Sequence, residues 1–67
     1  MTKIPENISK LSFEKALAEL EEIVDNLESG SVDLEKSIEN YTRGSLLRLH
    51  CQSKLDEAVL KLEEIKV

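Results

Sequence analysis

Tryptophan is absent from this 67-residue chain, and phenylalanine, tyrosine, cysteine, histidine, methionine and proline occur once each. Each scarcity excludes something. A single cysteine cannot close an internal disulfide, and one cysteine with one histidine cannot supply the four ligands of a structural zinc site, so neither staple nor cofactor is expected. No apolar run approaches the roughly 18–20 residues needed to span a bilayer, and none follows a basic start, so neither a membrane helix nor a signal peptide is expected. The lone free thiol suits a reducing compartment, which points to the cytoplasm. Basic residues are also in short supply. Nine against fourteen acidic residues give a net charge of −5, which repels a DNA backbone unless the positive charges gather on one face. A chain this short buries little apolar surface, and without staples it is expected to lean on other chains.

What is present is helical periodicity. Residues 1–11 hold the only proline, Pro5, and read as a flexible leader whose Ile4, Ile8 and Leu11 can dock weakly on a neighbour. Residues 12–67 read as a helical hairpin. Ser12 is placed to cap helix 1, about residues 12–29, in which Phe13, Leu17, Leu20, Val24 and Leu27 alternate at spacings of four and three, with Ala16 and Ile23 widening the stripe. Glu14 falls in its first turn, where the helix dipole favours negative charge. The pattern stops at "ESGS", where Gly30 can adopt the left-handed C-terminal conformation. After a turn at 30–33, Asp33 or Ser31 caps helix 2, about residues 34–66. Along it Leu34, Ile38, Tyr41, Leu55, Val59 and Leu62 fall on a broad apolar face, joined by Ser37, Gly44, Cys51 and Ala58. So short a turn makes the helices antiparallel neighbours. The expected fold is therefore all-α: an antiparallel two-helix hairpin with a long second helix, packed in a spectrin-repeat-like or coiled-coil manner within an oligomer.

Length sharpens this. At about 1.5 Å per residue helix 1 spans roughly 24 Å and helix 2 roughly 50 Å, so the second overhangs the first. Nothing in the leader is apolar enough to cover Leu55, Ala58, Val59, Leu62 and Ile65. That half of the seam calls for another polypeptide.

The stretch "YTRGSLLRLHCQ", residues 41–52, gathers the residues that invite a chemical reading. His50 and Cys51 are sequence neighbours on a helix and point about 100° apart, so they do not converge on one atom, and catalysis or metal binding there is outweighed by packing. Glu35 and Glu39 lie one turn apart, but a convex helix surface offers no pocket in which metal ions could be held between carboxylates, and a solvated face is the better reading. Arg43, His50, Lys54 and Lys61, at spacings of seven, four and seven, form one basic stripe that could be solvated, meet an acidic partner helix or touch DNA. No aromatic residue interleaves the stripe as a single-strand stacking platform would require. Gly44 either breaks helix 2 or lets another backbone approach closely, and the lack of an accompanying proline, glycine or polar turn cluster favours the second. Leu46 and Leu49 lie off the main seam and give the middle of helix 2 a second apolar patch, which suggests two neighbours. The candidate partner-interface residues are Tyr41, Arg43, Gly44, Leu46, Leu47, Leu49, Cys51, Leu55, Ala58, Val59 and Leu62; no catalytic, cofactor or metal residue is expected.

Taken together, "SFEKALAELEEIVDNLESGSVDLEKSIENYTRG" and the following "HCQSKLDEA" resemble the small subunit family of exodeoxyribonuclease VII over roughly Ser12 to Ala58. The LEEIV…LESG helix end, the Y-x-RG element at Tyr41, Arg43 and Gly44, and the CQ…LDEA run carry the resemblance by their order and spacing. It implies a non-catalytic helical hairpin that assembles in several copies on a larger, catalytic subunit. The holoenzyme would degrade single-stranded DNA exonucleolytically to oligonucleotides and nucleoside 5′-phosphates, and this chain would meet DNA only indirectly. Lys15 and Lys36 stand where such proteins often carry the capping-box glutamate, and "SLLRLH" replaces a stretch expected to be richer in alanine and basic residues. Two rival readings follow from the residues alone: a free-standing homo-oligomeric helical scaffold, and a direct DNA-binding module.

Overall fold

The computed structural model describes residues 4–30 and 32–66, with side chains as far as Glu63. Ser12 sits in extended backbone (φ −67°, ψ 161°) and its Oγ accepts the Lys15 N–H at 3.2 Å, which starts α2 (Phe13–Ser29). Such a cap is worth about 0.5–2 kcal/mol. Gly30 ends the helix at φ 66°, a left-handed conformation that glycine adopts without steric cost. Asp33 Oδ1 then accepts the Lys36 N–H at 2.8 Å and opens α3 (Leu34–Lys66), while Ser31, the other capping candidate, lies outside the described residues. α3 runs unbroken through Gly44. The turn reverses the chain, and the two helices pack as an antiparallel all-α hairpin with a long second helix.

The leader differs from its expected loose state. Residues 4–11 contain a helical turn, α1 (Glu6–Ser9), and Ile8 within it is 0 % exposed, packed into the core of its own chain. The cause is a gap in the hairpin: α2 covers one side of Leu47 and Cys51, and Ile8 closes the other. Residues 1–3 lie outside the described residues.

The core itself is Ile8, Ala16, Ile23, Leu47 and Cys51, with Leu11, Phe13, Leu20, Leu27 and Leu46 packed half-buried against it. On α2 the buried residues are Ala16 and Ile23, from the margin of the expected stripe, with Phe13, Leu20 and Leu27 half-buried, whereas Leu17 and Val24, expected in the same stripe, are exposed. On α3 the buried row is Gly44, Leu47 and Cys51, and the expected face is rotated away from α2: Leu34 is 76 % exposed and Tyr41 70 %, with Ile38 exposed as well. Two polar contacts hold the helix in this rotation. Arg43 reaches across to Glu19, and His50 Nε2 lies 2.8 Å from the Leu11 carbonyl oxygen, both on the flank of α3 next to Leu47.

α2 has 17 residues and α3 has 33, roughly 25 and 50 Å of helix, so half of α3 projects beyond the hairpin. The molecule measures 51 × 24 × 17 Å, with a radius of gyration of 14.4 Å against roughly 11 Å for a compact chain of this length. Every residue from Gln52 to Glu63 is exposed, Leu62 at 65 %. As expected from the lengths, Leu55, Ala58, Val59 and Leu62 find no cover in their own chain; Ile65 lies outside the described side chains.

Candidate functional site

The candidate interface residues divide into three groups. Gly44, Leu47 and Cys51 are buried inside this chain and hold its own hairpin together. At Gly44 an added Cβ would meet Ile23 Cγ2 at 3.4 Å and Leu20 Cδ1 at 3.6 Å. Within the chain, the space beside Gly44 is thus taken by side chains of α2, and not by the close-lying backbone of another helix that was expected there. Leu46 is half-buried beside the leader, in a shallow groove of about 330 Å³ that Pro5, Ile8, Ile38 and Thr42 also line. Tyr41, Leu49, Leu55, Ala58, Val59 and Leu62 are exposed and free to meet another chain.

Arg43 belongs to none of these groups. Its Nη2 donates to Glu19 Oε1 at 3.1 Å, its Nε donates to Glu19 Oε2, and Nη1 lies 3.5 Å from Asn7 Oδ1. This forked pairing ties α3 to α2 and to the leader. Hydrogen bonding from Arg43 holds the Glu19 carboxyl below its ordinary range, against an opposing effect of burial and with help from the guanidinium charge. The same hydrogen bond raises Arg43 further.

The basic stripe is accordingly not one continuous solvated face. His50 is buried, and its ring nitrogen lies on the Leu11 carbonyl, so Nε2 carries the proton and donates. Only Lys54 and Lys61, beyond the end of α2, keep the stripe exposed. Its first half is therefore engaged within the chain: Arg43 pairs with Glu19 while staying partly exposed, and His50 is buried against Leu11.

His50 and Cys51 do not make a catalytic pair. The imidazole is engaged by Leu11, while the thiol belongs to the apolar cluster, where burial pushes its pKa up and disfavours the thiolate. Glu35 and Glu39 are exposed, the latter 3.6 Å from Lys36. Among the described residues no group of three or more His, Cys, Asp or Glu side chains is arranged to hold a metal ion.

A second groove, of about 280 Å³, runs between α2 and α3 on the side away from the leader. Leu20, Val24 and Leu27 line it from α2, and Tyr41, Gly44 and Arg48 from α3. Neither this groove nor the roles of Glu19 and Asn7 were legible in the spacing, because all three arise from the rotation of α3 against α2.

The sequence profile described as Exonuclease VII small subunit matches residues 13–64. The chain belongs to the exonuclease VII small subunit family. It is 56 % identical over 61 residues to the Exodeoxyribonuclease 7 small subunit of Caulobacter vibrioides, an alignment that covers 91 % of this chain and 73 % of that protein. With the protein of the same name from Novosphingobium aromaticivorans it shares 52 % over 65 residues, 97 % of this chain and 77 % of the relative. The counterpart from Bartonella bacilliformis is 52 % identical over 62 residues, 92 % and 74 % of the two chains. No solved structure matches the chain. The profile begins at the first residue of α2 and extends almost to the end of α3. The profile match thus takes in the hairpin together with its overhang, whereas the alignment over 97 % of the chain with the Novosphingobium aromaticivorans protein takes in most of the leader as well. The relatives are named as subunits of a nuclease, and among the described residues of this one no helix is long and apolar enough to cross a membrane.

Proposed function

We propose that this family member is the non-catalytic small subunit of exodeoxyribonuclease VII, and that it works by binding and stabilising the large catalytic subunit together with further copies of itself. The observation that carries the reading is the exposed apolar surface of α3. One face presents Leu34, Tyr41, Leu55, Val59 and Leu62, and a second, about 100° around the helix from it, presents Ile38, Leu49 and Leu60 beside half-buried Leu46. A monomer that buries five core residues and leaves two such faces open is built to be covered. Binding to the folded hairpin stabilises it by mass action, and linkage makes the small chains stabilise the large subunit's helices in return. Single-stranded DNA would then be met only through the holoenzyme, in the cytoplasm, and cut exonucleolytically to oligonucleotides and nucleoside 5′-phosphates by the large subunit.

Co-expression with the large subunit of the same host tests this directly. The two chains should co-purify through a tag on either one, and the complex should degrade single-stranded DNA while the small chain alone does not. Recovery of the small chain without the large one, at every salt concentration tried, would leave the free-standing scaffold in its place.

A further inference from the structure

Two features of the surface match each other. The overhang of α3 carries an apolar seam, Leu55, Val59 and Leu62, and on one flank of that seam Lys54 and Lys61 stand seven residues apart, both exposed. The groove between α2 and α3 is lined by Leu20, Ile23, Val24 and Leu27 from α2 and by Asn40, Tyr41, Gly44, Ser45 and Arg48 from α3, and Glu14, Glu21 and Glu28, also seven apart and exposed, form a row on α2 beyond Leu17 and Val24. Residues seven apart on a helix lie in one row, so each surface pairs an apolar strip with a line of single-sign charge. The signs are opposite.

The lengths match too. α2 has 17 residues, and the part of α3 that α2 leaves uncovered is about as long. If two copies lie with their α3 helices antiparallel about a two-fold axis near residue 50, the midpoint of α3, each overhang runs along the other copy's groove. Each cross-section of the assembly then holds three helices instead of one or two. In that register Lys54 falls between Glu14 and Glu21 of the second copy, and Lys61 between its Glu21 and Glu28. The handedness is consistent. α2 of the second copy covers the same side of the overhang that α2 covers within the hairpin, and its glutamate row faces the lysine flank, away from α3 of that copy.

We propose that this family member forms a closed two-fold dimer in which the overhang of each copy docks in the α2/α3 groove of the other, with Lys54 and Lys61 against the Glu14, Glu21 and Glu28 row. The dimer covers Leu34 and Tyr41, which the hairpin leaves almost fully exposed, as well as Leu55, Val59 and Leu62. Its surfaces are self-complementary, so association closes at two copies and does not run on into a fibre. It leaves the face with Ile38, Leu49 and Leu60 open. This deepens the self-association part of the proposed function, and it rests on surfaces of this chain alone.

Charge reversal on exposed residues tests it. In sedimentation equilibrium on the full chain, wild type should be a dimer. Lys54→Glu with Lys61→Glu places glutamates against glutamates in both halves of the interface, and Glu21→Lys with Glu28→Lys places lysines against lysines. Each variant alone should dissociate at concentrations on the order of a hundredfold higher than wild type. Mixed in equal amounts, the two variants should recover the dimer, because opposite signs then meet in both halves. A wild-type chain that stays monomeric at several hundred micromolar, a variant that dimerises as wild type does, or a mixture that fails to recover overturns the proposal. None of these outcomes bears on co-purification with the large subunit, which tests the other reading separately.

Discussion

Leu47 is the residue on which the observed rotation of α3 depends most. It is 0 % exposed and sits in one cluster with Ile8, Ala16, Ile23 and Cys51, whereas Leu34, expected from periodicity to share the buried face, is 76 % exposed. Leu47→Ala removes buried methyl groups at a packed site and should cost about 2–5 kcal/mol. At a concentration low enough to keep the chain monomeric, Leu34→Ala should stay within about 0.5 kcal/mol, as surface changes do. The contrast is large for a chain of this size: at ~0.05–0.15 kcal/mol per residue, the whole fold is worth roughly 3–10 kcal/mol. Ile8→Ala should fall in the same costly range as Leu47→Ala if the leader is part of the core. Urea unfolding followed by far-ultraviolet circular dichroism, at one fixed protein concentration, measures all three. If Leu47→Ala lies within about 1 kcal/mol of Leu34→Ala, α3 does not present Gly44, Leu47 and Cys51 to α2, and the packing argument fails.

Glu19, whose folded pKa is depressed below its ordinary 4.5, contributes stability that is present above the unfolded value and lost as pH falls through the folded one. Wild type should therefore lose more stability than Glu19→Gln on acidification from about pH 5 downwards, and equal losses in acid melts of the two proteins would remove Arg43 as the cause. Cys51, buried with its pKa pushed up, should react with a thiol reagent at pH 8 far more slowly in the folded chain than in denaturant; labelling at the same rate in both would place the thiol at the surface.

Local chemistry was the legible part of this sequence. Ser12, Gly30 and Asp33 each act through their own few residues, and all three do in the structure what their positions imply. The apolar stripe of α2 was readable in part, since only one face of that helix is apolar: Ala16, Leu20, Ile23 and Leu27 pack inward, but Leu17 and Val24 of the same stripe stay exposed. α3 was harder because apolar residues occur on most of its circumference, and period alone cannot select among several rows. What selects is tertiary: the missing side chain at Gly44, the pairing of Arg43 with Glu19 and the contact of His50 with the Leu11 carbonyl. The leader went unread for a related reason. Four helical residues after a proline carry no periodicity, and Ile8 shows its importance only once the space beside Leu47 is known.

On the proposed function, the surplus of apolar rows on α3 is the feature that binds partners. A helix needed only for a hairpin requires one row, and Gly44, Leu47 and Cys51 supply it. The remaining rows are exposed in the single chain, and on that reading partners cover them. On the proposed reading, covering them also sets the stability. A partner that binds only the folded hairpin and is present at about a hundred times its dissociation constant adds about 2.7 kcal/mol, comparable with the whole contribution of Leu47. A chain with so small a core would then reach ordinary stability only inside its assembly. Unassembled copies would unfold more readily and so stay open to proteolysis, which would keep the amount of small subunit in step with its partners.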